Sequence, residues 1–196
     1  MAQLEERRGA ATTGRIVDAA TTLFSQKGYH ATTMRELAAA VGIKAASLYN
    51  HFPGKEDVLH RIAHGTMAEL LDGGRAAMAP HEAPRERLAA LIRFHVVYHA
   101  ERRFQARIAD EQLHALGPER RASVLEVRDA YTGLFKETLE AGRRAHGWLV
   151  PDASVLTFGI GGMCTFVDIW YRPDGPLAAE EIAAMYADFV LRALEP

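Results

Sequence analysis

Three observations predict an all-α fold for this chain. Apolar residues recur at helical spacing over most of its length, capping residues stand at the ends of those runs, and strand-like alternation is scarce. Ile16, Ala19, Ala20, Leu23 and Phe24 fall at i, i+3, i+4, i+7 and i+8, one face of a first helix that ends near Gly28. Met34, Leu37, Ala38 and Val41 make the face of a second. Thr33 precedes it and Glu36 follows three residues later, the pattern in which hydroxyl and carboxylate each satisfy a free backbone N–H at a helix start. Gly42 supplies the left-handed residue that closes such a helix. Leu48 and Phe52 mark the inward side of a short third helix, which Pro53-Gly54 stops.

Val58, Leu59, Ile62 and Met67 begin a fourth, longer helix. The stretch DGGRAAMAPHEAPRE, residues 72–86, is expected as a break. Four or five amphipathic helices follow, including a long one from near Pro118, one capped by Asp152 that runs to about Tyr171, and a last one from about Ala178 to Leu194. The expected organisation is a helix-turn-helix head over residues 1–55 and a larger helical body over residues 56–196.

Composition narrows the function. Net charge is −2, but residues 1–64 carry +2 and the remainder −4, which permits a polyanionic partner at one end only. Cys164 is the only cysteine, so an intrachain disulfide and a cysteine-rich zinc site are excluded. No leader-like segment opens the chain and no run approaches the ~20 apolar residues of a membrane span. A soluble, cytoplasmic protein with no membrane partner is expected. A Gly-rich phosphate loop, H-E-x-x-H and G-x-S-x-G are all missing, so the expectation is no enzyme, no catalytic residue and no cofactor.

Two short helices joined at a glycine have the geometry of a helix-turn-helix, whose second helix enters the DNA major groove. With Leu37, Ala38, Val41, Ile43, Leu48 and Phe52 inside, Lys44, Ala45, Ser47, Tyr49 and Asn50 remain for the groove. Ala45 and Ala46 allow close approach and contact with a thymine methyl. Ser47 and Asn50 suit base edges or phosphates, and Tyr49 offers its hydroxyl to a phosphate. The helix starts near Thr33 and near Lys55 supply N–H groups for phosphate oxygens, and Lys55 adds a charge. Spacing alone leaves the alternative of an ordinary α-helical pair with Tyr49 and His51 at its edge.

The residue pattern AATTLFSQKGYHATTMRELAAAVGIKAASLYNHFPGKEDVL resembles the DNA-binding head of the TetR family of bacterial regulators. The matching marks include Gly28-Tyr29, Thr32-Thr33, Glu36-Leu37-Ala38, Gly42, Leu48-Tyr49, His51-Phe52 and Lys55-Glu56. The resemblance implies a homodimer, an inverted-repeat operator and a ligand that releases DNA. It also implies that Thr33, Tyr49, His51 and Lys55 contact phosphates and that residues 44–50 read bases. One departure stands out: members often carry Ser where this chain has Lys44, so the usual cap of the recognition helix is in question.

In the body, Gly159, Gly161 and Gly162 lie within an apparent helix, where each costs ~1 kcal/mol relative to Ala. Close helix approach at a dimer seam, or a ligand, would offset that. The family's seam uses the last two helices of each subunit, here 152–171 and 178–194. His95 and His99, four apart, have metal-pair spacing with Glu111 or His114 as a third ligand, although core histidines are the commoner reading; no metal is expected. Cys164 reads as a buried small hydrophobe rather than a redox sensor. Two body stretches resemble TetR-type repressors of steroid and fatty-acid degradation, several of which respond to acyl-CoA thioesters. That resemblance implies an acyl-CoA effector in an aromatic tunnel with arginines at its mouth, with Tyr98, Phe104, Phe166, Trp170, Arg103 and Arg172 as its residues. The alternative is an efflux regulator sensing hydrophobic drugs.

Overall fold

A computed structural model describes the backbone of residues 1–196 and all side chains except those of residues 2–8. The described elements are α-helices and a single 3₁₀ turn, with no strand among them. In order they are α1 (Ala2–Lys27), α2 (Met34–Val41), α3 (Ala45–His51), α4 (Lys55–Met78), α5 (Pro84–Glu101), α6 (Arg103–Glu111), the 3₁₀ turn Leu113–Ala115, α7 (Pro118–His146), α8 (Ala153–Thr165), α9 (Val167–Trp170) and α10 (Ala179–Leu194).

Two compact units result. The first comprises residues 1–66 together with 104–124, and the second comprises 67–103 and 125–196. The first unit therefore takes in α6 and the start of α7, which the sequence assigned to the body. In this unit Ile16, Ala20 and Phe24 of α1 are buried with Leu37 and Val41 of α2, Leu48 of α3, and Val58, Leu59 and Ile62 of α4. Full burial of such side chains is worth ~1.5–3 kcal/mol each. In the second unit α5 and α10 pack along each other, with Leu88, Leu91, Ile92, Val96, Ile182 and Val190 buried.

The expected caps form. The Thr33 hydroxyl accepts from the Glu36 N–H at 3.3 Å while the Glu36 carboxylate accepts from the Thr33 N–H at 2.8 Å. Gly42 closes α2 at φ 73°, in the left-handed region. Asp152 accepts from the Ser154 and Val155 N–H groups at 2.8 and 2.9 Å. At α10 only half a capping box exists: the Glu181 carboxylate accepts from the Ala178 N–H at 2.8 Å, and alanine has no side-chain acceptor to reciprocate.

Two boundaries differ from expectation. The break expected at 72–86 starts later, because α4 continues through Gly73 and Gly74 to Met78. These glycines admit neighbours rather than end the helix. A Cβ at Gly73 would fall 2.2 Å from the Phe94 ring, and one at Gly74 3.0 Å from both Leu91 and Tyr131. The helix expected from Asp152 to Tyr171 is interrupted at Phe166, which separates α8 from α9.

Candidate nucleic-acid interface and effector-binding body

Within the first unit, α2, the Gly42 turn and α3 form a helix-turn-helix. Leu48 faces inward with no exposure, and Phe52 is buried behind it. Lys44, Tyr49 and Asn50 are exposed, Ala45 and Ser47 partly so, and none of these side chains bonds another described residue. They form the open polar face that groove reading requires. Lys44 gives α3 no side-chain cap; only its carbonyl serves, accepting from the Ser47 and Leu48 N–H groups at 2.9 and 3.1 Å.

Lys55, Thr33 and His51, expected as phosphate ligands, each make a contact within the first unit. Lys55 Nζ donates to the carbonyls of Tyr29, His30 and Thr32 at 2.7, 3.1 and 2.8 Å, and lies 4.5 Å from the centre of the Tyr29 ring. An ammonium has three N–H donors, so a direct phosphate bond would require one of these to break. The Thr33 hydroxyl donates to Glu36 Oε2 at 2.9 Å, closing it into the α2 cap. Glu36 also pairs with Lys27, and these contacts, the Lys27 hydrogen bond first, hold its carboxyl down at about 2. His51 Nδ1 lies 3.3 Å from the Thr13 hydroxyl, which leaves Nε2 as its outward nitrogen. In the structure Thr33 and Lys55 both hold the turn ahead of α2. Sequence reasoning missed Arg15, whose guanidinium donates to the Val41 carbonyl at 2.6 Å and fixes the end of α2 against α1. The 26-residue separation gave no local signal for it.

In the second unit, His95 is buried with both ring nitrogens bonded, Nδ1 to the Tyr131 hydroxyl at 2.8 Å and Nε2 to the Thr165 hydroxyl at 3.0 Å. The His99 ring lies against it at a tilt, ring centres 4.3 Å apart, and its buried Nδ1 has no hydrogen-bond partner. Burial pushes the His95 imidazole well below its usual range and that of His99 down to about 4. Both are neutral core groups at pH 7. The nitrogens of His95 are spent on hydroxyls, and no metal-holding group of three occurs among the described residues. Cys164 is buried, and burial pushes its thiol up to about 12, which suppresses thiolate chemistry.

Of the six expected effector residues, five lie in the second unit and Phe104 in the first. Tyr98 is buried and donates its hydroxyl to Glu69 at 2.9 Å. It lines a groove of about 470 Å³ with Phe94, Val97, Ala183, Arg93 and Arg102. Phe166, Trp170 and Arg172 are exposed. Arg103 is partly exposed, and Phe104 is exposed in the first unit. The exposure of Phe166 follows from helix phase: α8 buries Ala153, Thr157, Ile160 and Cys164, which turns Phe166 to the opposite side.

Helix, left-handed glycine turn and a short helix with an unspent polar face define a helix-turn-helix DNA-binding protein. Residues 16–62 match the family model of bacterial regulatory proteins of the tetR family, and residues 81–194 match the tetracyclin repressor-like C-terminal domain. The chain is 33% identical over 184 residues to the HTH-type transcriptional repressor KstR2 of Rhodococcus jostii, covering 91% of this chain and 89% of that one. It is 30% identical over 194 residues to KstR2 of Mycobacterium tuberculosis, covering 96% and 93%. A solved bacterial regulatory protein of the tetR family from Rhodococcus RHA1 superposes with a TM-score of 0.88 at 30% identity, over 94% of this chain and 97% of that one. The chain belongs to the TetR family. It is a ligand-responsive transcriptional repressor rather than an enzyme, and like repressors of that family it binds operator DNA and dimerises.

Proposed function

We propose that this repressor leaves its operator when the body binds an acyl-CoA thioester. The observation that carries the reading is the groove of the second unit. Phe94, Val97, Ala183 and the Tyr98 ring give it an apolar wall, and Arg93 and Arg102 stand beside that wall. An apolar acyl arm and a polyanionic nucleotide end match that pairing, the phosphates through charge-assisted hydrogen bonds. The likeness of the body sequence to repressors of steroid and fatty-acid degradation supports the same ligand class. A ligand releases DNA only if it binds the released form more tightly than the bound one.

The dimer seam in this reading is the exposed apolar stripe of α8 and α10. Val155, Phe158, Gly159, Gly162 and Phe166 recur at i, i+3, i+4, i+7 and i+11, and Met185 and Phe189 are exposed on α10. The window Ala153–Trp170 is apolar and long enough to cross a membrane, contrary to expectation, yet it breaks at Phe166. Glu181, Asp188 and Arg192 lie among the exposed residues of α10. Charges so interleaved suit a second copy of the chain rather than a bilayer. A repressor acting on operator DNA works in the cytoplasm.

The test is an operator gel shift with acyl-CoAs, the matching free acids, free CoA and hydrophobic cationic drugs. Release by thioesters alone is expected. Release by drugs alone would replace this reading with an efflux sensor. Equal release by acids and thioesters would show that the arginines do not read the CoA end.

A further inference from the structure

The first turn of α4 is bonded in two directions. Lys55 holds the carbonyls of residues 29, 30 and 32, immediately ahead of the α2 cap. The next two residues reach the 117–120 segment. Glu56 Oε1 accepts from the Gly117 N–H at 2.8 Å and from Arg120 Nη1 at 3.1 Å, and Arg120 Nη2 pairs with Asp57. One turn further, His60 Nε2 lies 2.9 Å from the Ser123 hydroxyl, which itself donates to the Arg120 carbonyl at 2.8 Å. A Cβ at Gly117 would sit 3.2 Å from Glu56 Oε1, so the approach there is close. Only residues 52–54 separate α3 from this turn.

We infer that Arg120 is a positioning residue for operator binding, and that residues 117–123 are a working part of the DNA-binding unit although they lie more than 60 positions from the helix-turn-helix. The guanidinium fork spans two adjacent carboxylates, which a single point charge does not reproduce. It fixes the first turn of α4, and through Lys55 and residues 52–54 that turn fixes both helices of the motif. Arg120, Glu56 and Asp57 are 40%, 36% and 23% exposed, so their ion pairs are worth little to global stability. Their effect is on orientation, where a small displacement of α3 costs base contacts. A guanidinium already shared by two carboxylates is also a poor direct phosphate ligand.

The test uses the full-length protein and a defined operator, with Arg120→Gln, Asp57→Asn and the double variant. Operator affinity should fall by about fivefold or more in each single variant, the size of an ordinary coupling between sites, with melting temperature held. The double variant should lose no more than the worse single one, because both break the same contact. The slope of log affinity against log salt should stay at the wild-type value, whereas loss of a direct phosphate contact would lower it by about 0.9. Wild-type affinity in Arg120→Gln, additive losses or a reduced slope would each overturn the inference. Loss of fold in Arg120→Gln would also overturn it, by making the clamp a structural prop; Glu56→Gln, which keeps the Gly117 acceptor, checks that outcome independently.

Discussion

Lys55 Nζ sits 2.7 Å from the carbonyl oxygen of Tyr29 and over the face of the same residue's ring. The ammonium closes the loop between α1 and α2 from the start of α4. Lys55→Met should cost about 1–2 kcal/mol of stability, since hydrogen bonds to a charged group are worth ~1.5–3 kcal/mol and this one is partly exposed. Operator affinity should fall through loss of order in the turn, with the salt slope unchanged. Chemical denaturation beside a salt titration measures both, and a slope lowered by about one would restore the direct phosphate role.

We propose that Lys44, Ser47 and Asn50 carry the sequence preference. Replacing each by Ala should relax selection at particular operator positions, with ~1–3 kcal/mol at stake for a good base contact. Selection from a randomised operator library reads this out directly. Identical preferences in all three variants would remove α3 from the groove.

The adjoining rings His95 and His99 should respond oppositely to substitution. His99→Leu removes a buried nitrogen that has no partner, and should raise stability by about 1 kcal/mol. His95→Leu orphans the Tyr131 and Thr165 hydroxyls, and should lower it by about 2–3 kcal/mol. The pH dependence follows from the sign of the shift. The folded-state pKa of His99 is depressed from 6.5 to about 4, so the unfolded chain takes the proton first. Stability attributable to the neutral ring is present above about 6.5 and is lost as pH falls toward about 4. The advantage of His99→Leu over wild type should therefore widen across that window in urea titrations.

The α8 stripe gives a test of assembly that does not disturb the protomer. A Cβ at Gly162 meets nothing within 4 Å, and Phe158 is 68% exposed. Gly162→Leu and Phe158→Asp should keep wild-type helicity by circular dichroism. Sedimentation at micromolar concentration should show monomers. Dimers of undiminished affinity in both variants would place the seam elsewhere.

The sequence by itself determined the all-α class, the helix-turn-helix and the cap residues Thr33, Glu36, Gly42 and Asp152. These are local: a period of 3.6, a hydroxyl three residues from a carboxylate and a glycine at positive φ act within one turn of chain. Partnerships between distant residues were decided only by the tertiary structure. Arg15 meets Val41, Lys55 meets Tyr29, and Arg120 meets Glu56 and Asp57 across 26 to 64 positions, with no spacing rule to announce them. Gly73 and Gly74 read as a break because glycine alone weakens a helix. Phe94, Leu91 and Tyr131 turn the missing side chains into room for close packing. A pocket lining is the least legible feature of such a chain, because it is made by the rotational phase of several helices at once. Phe166 shows this: one helix face buries Cys164, and geometry then commits Phe166 to the opposite one.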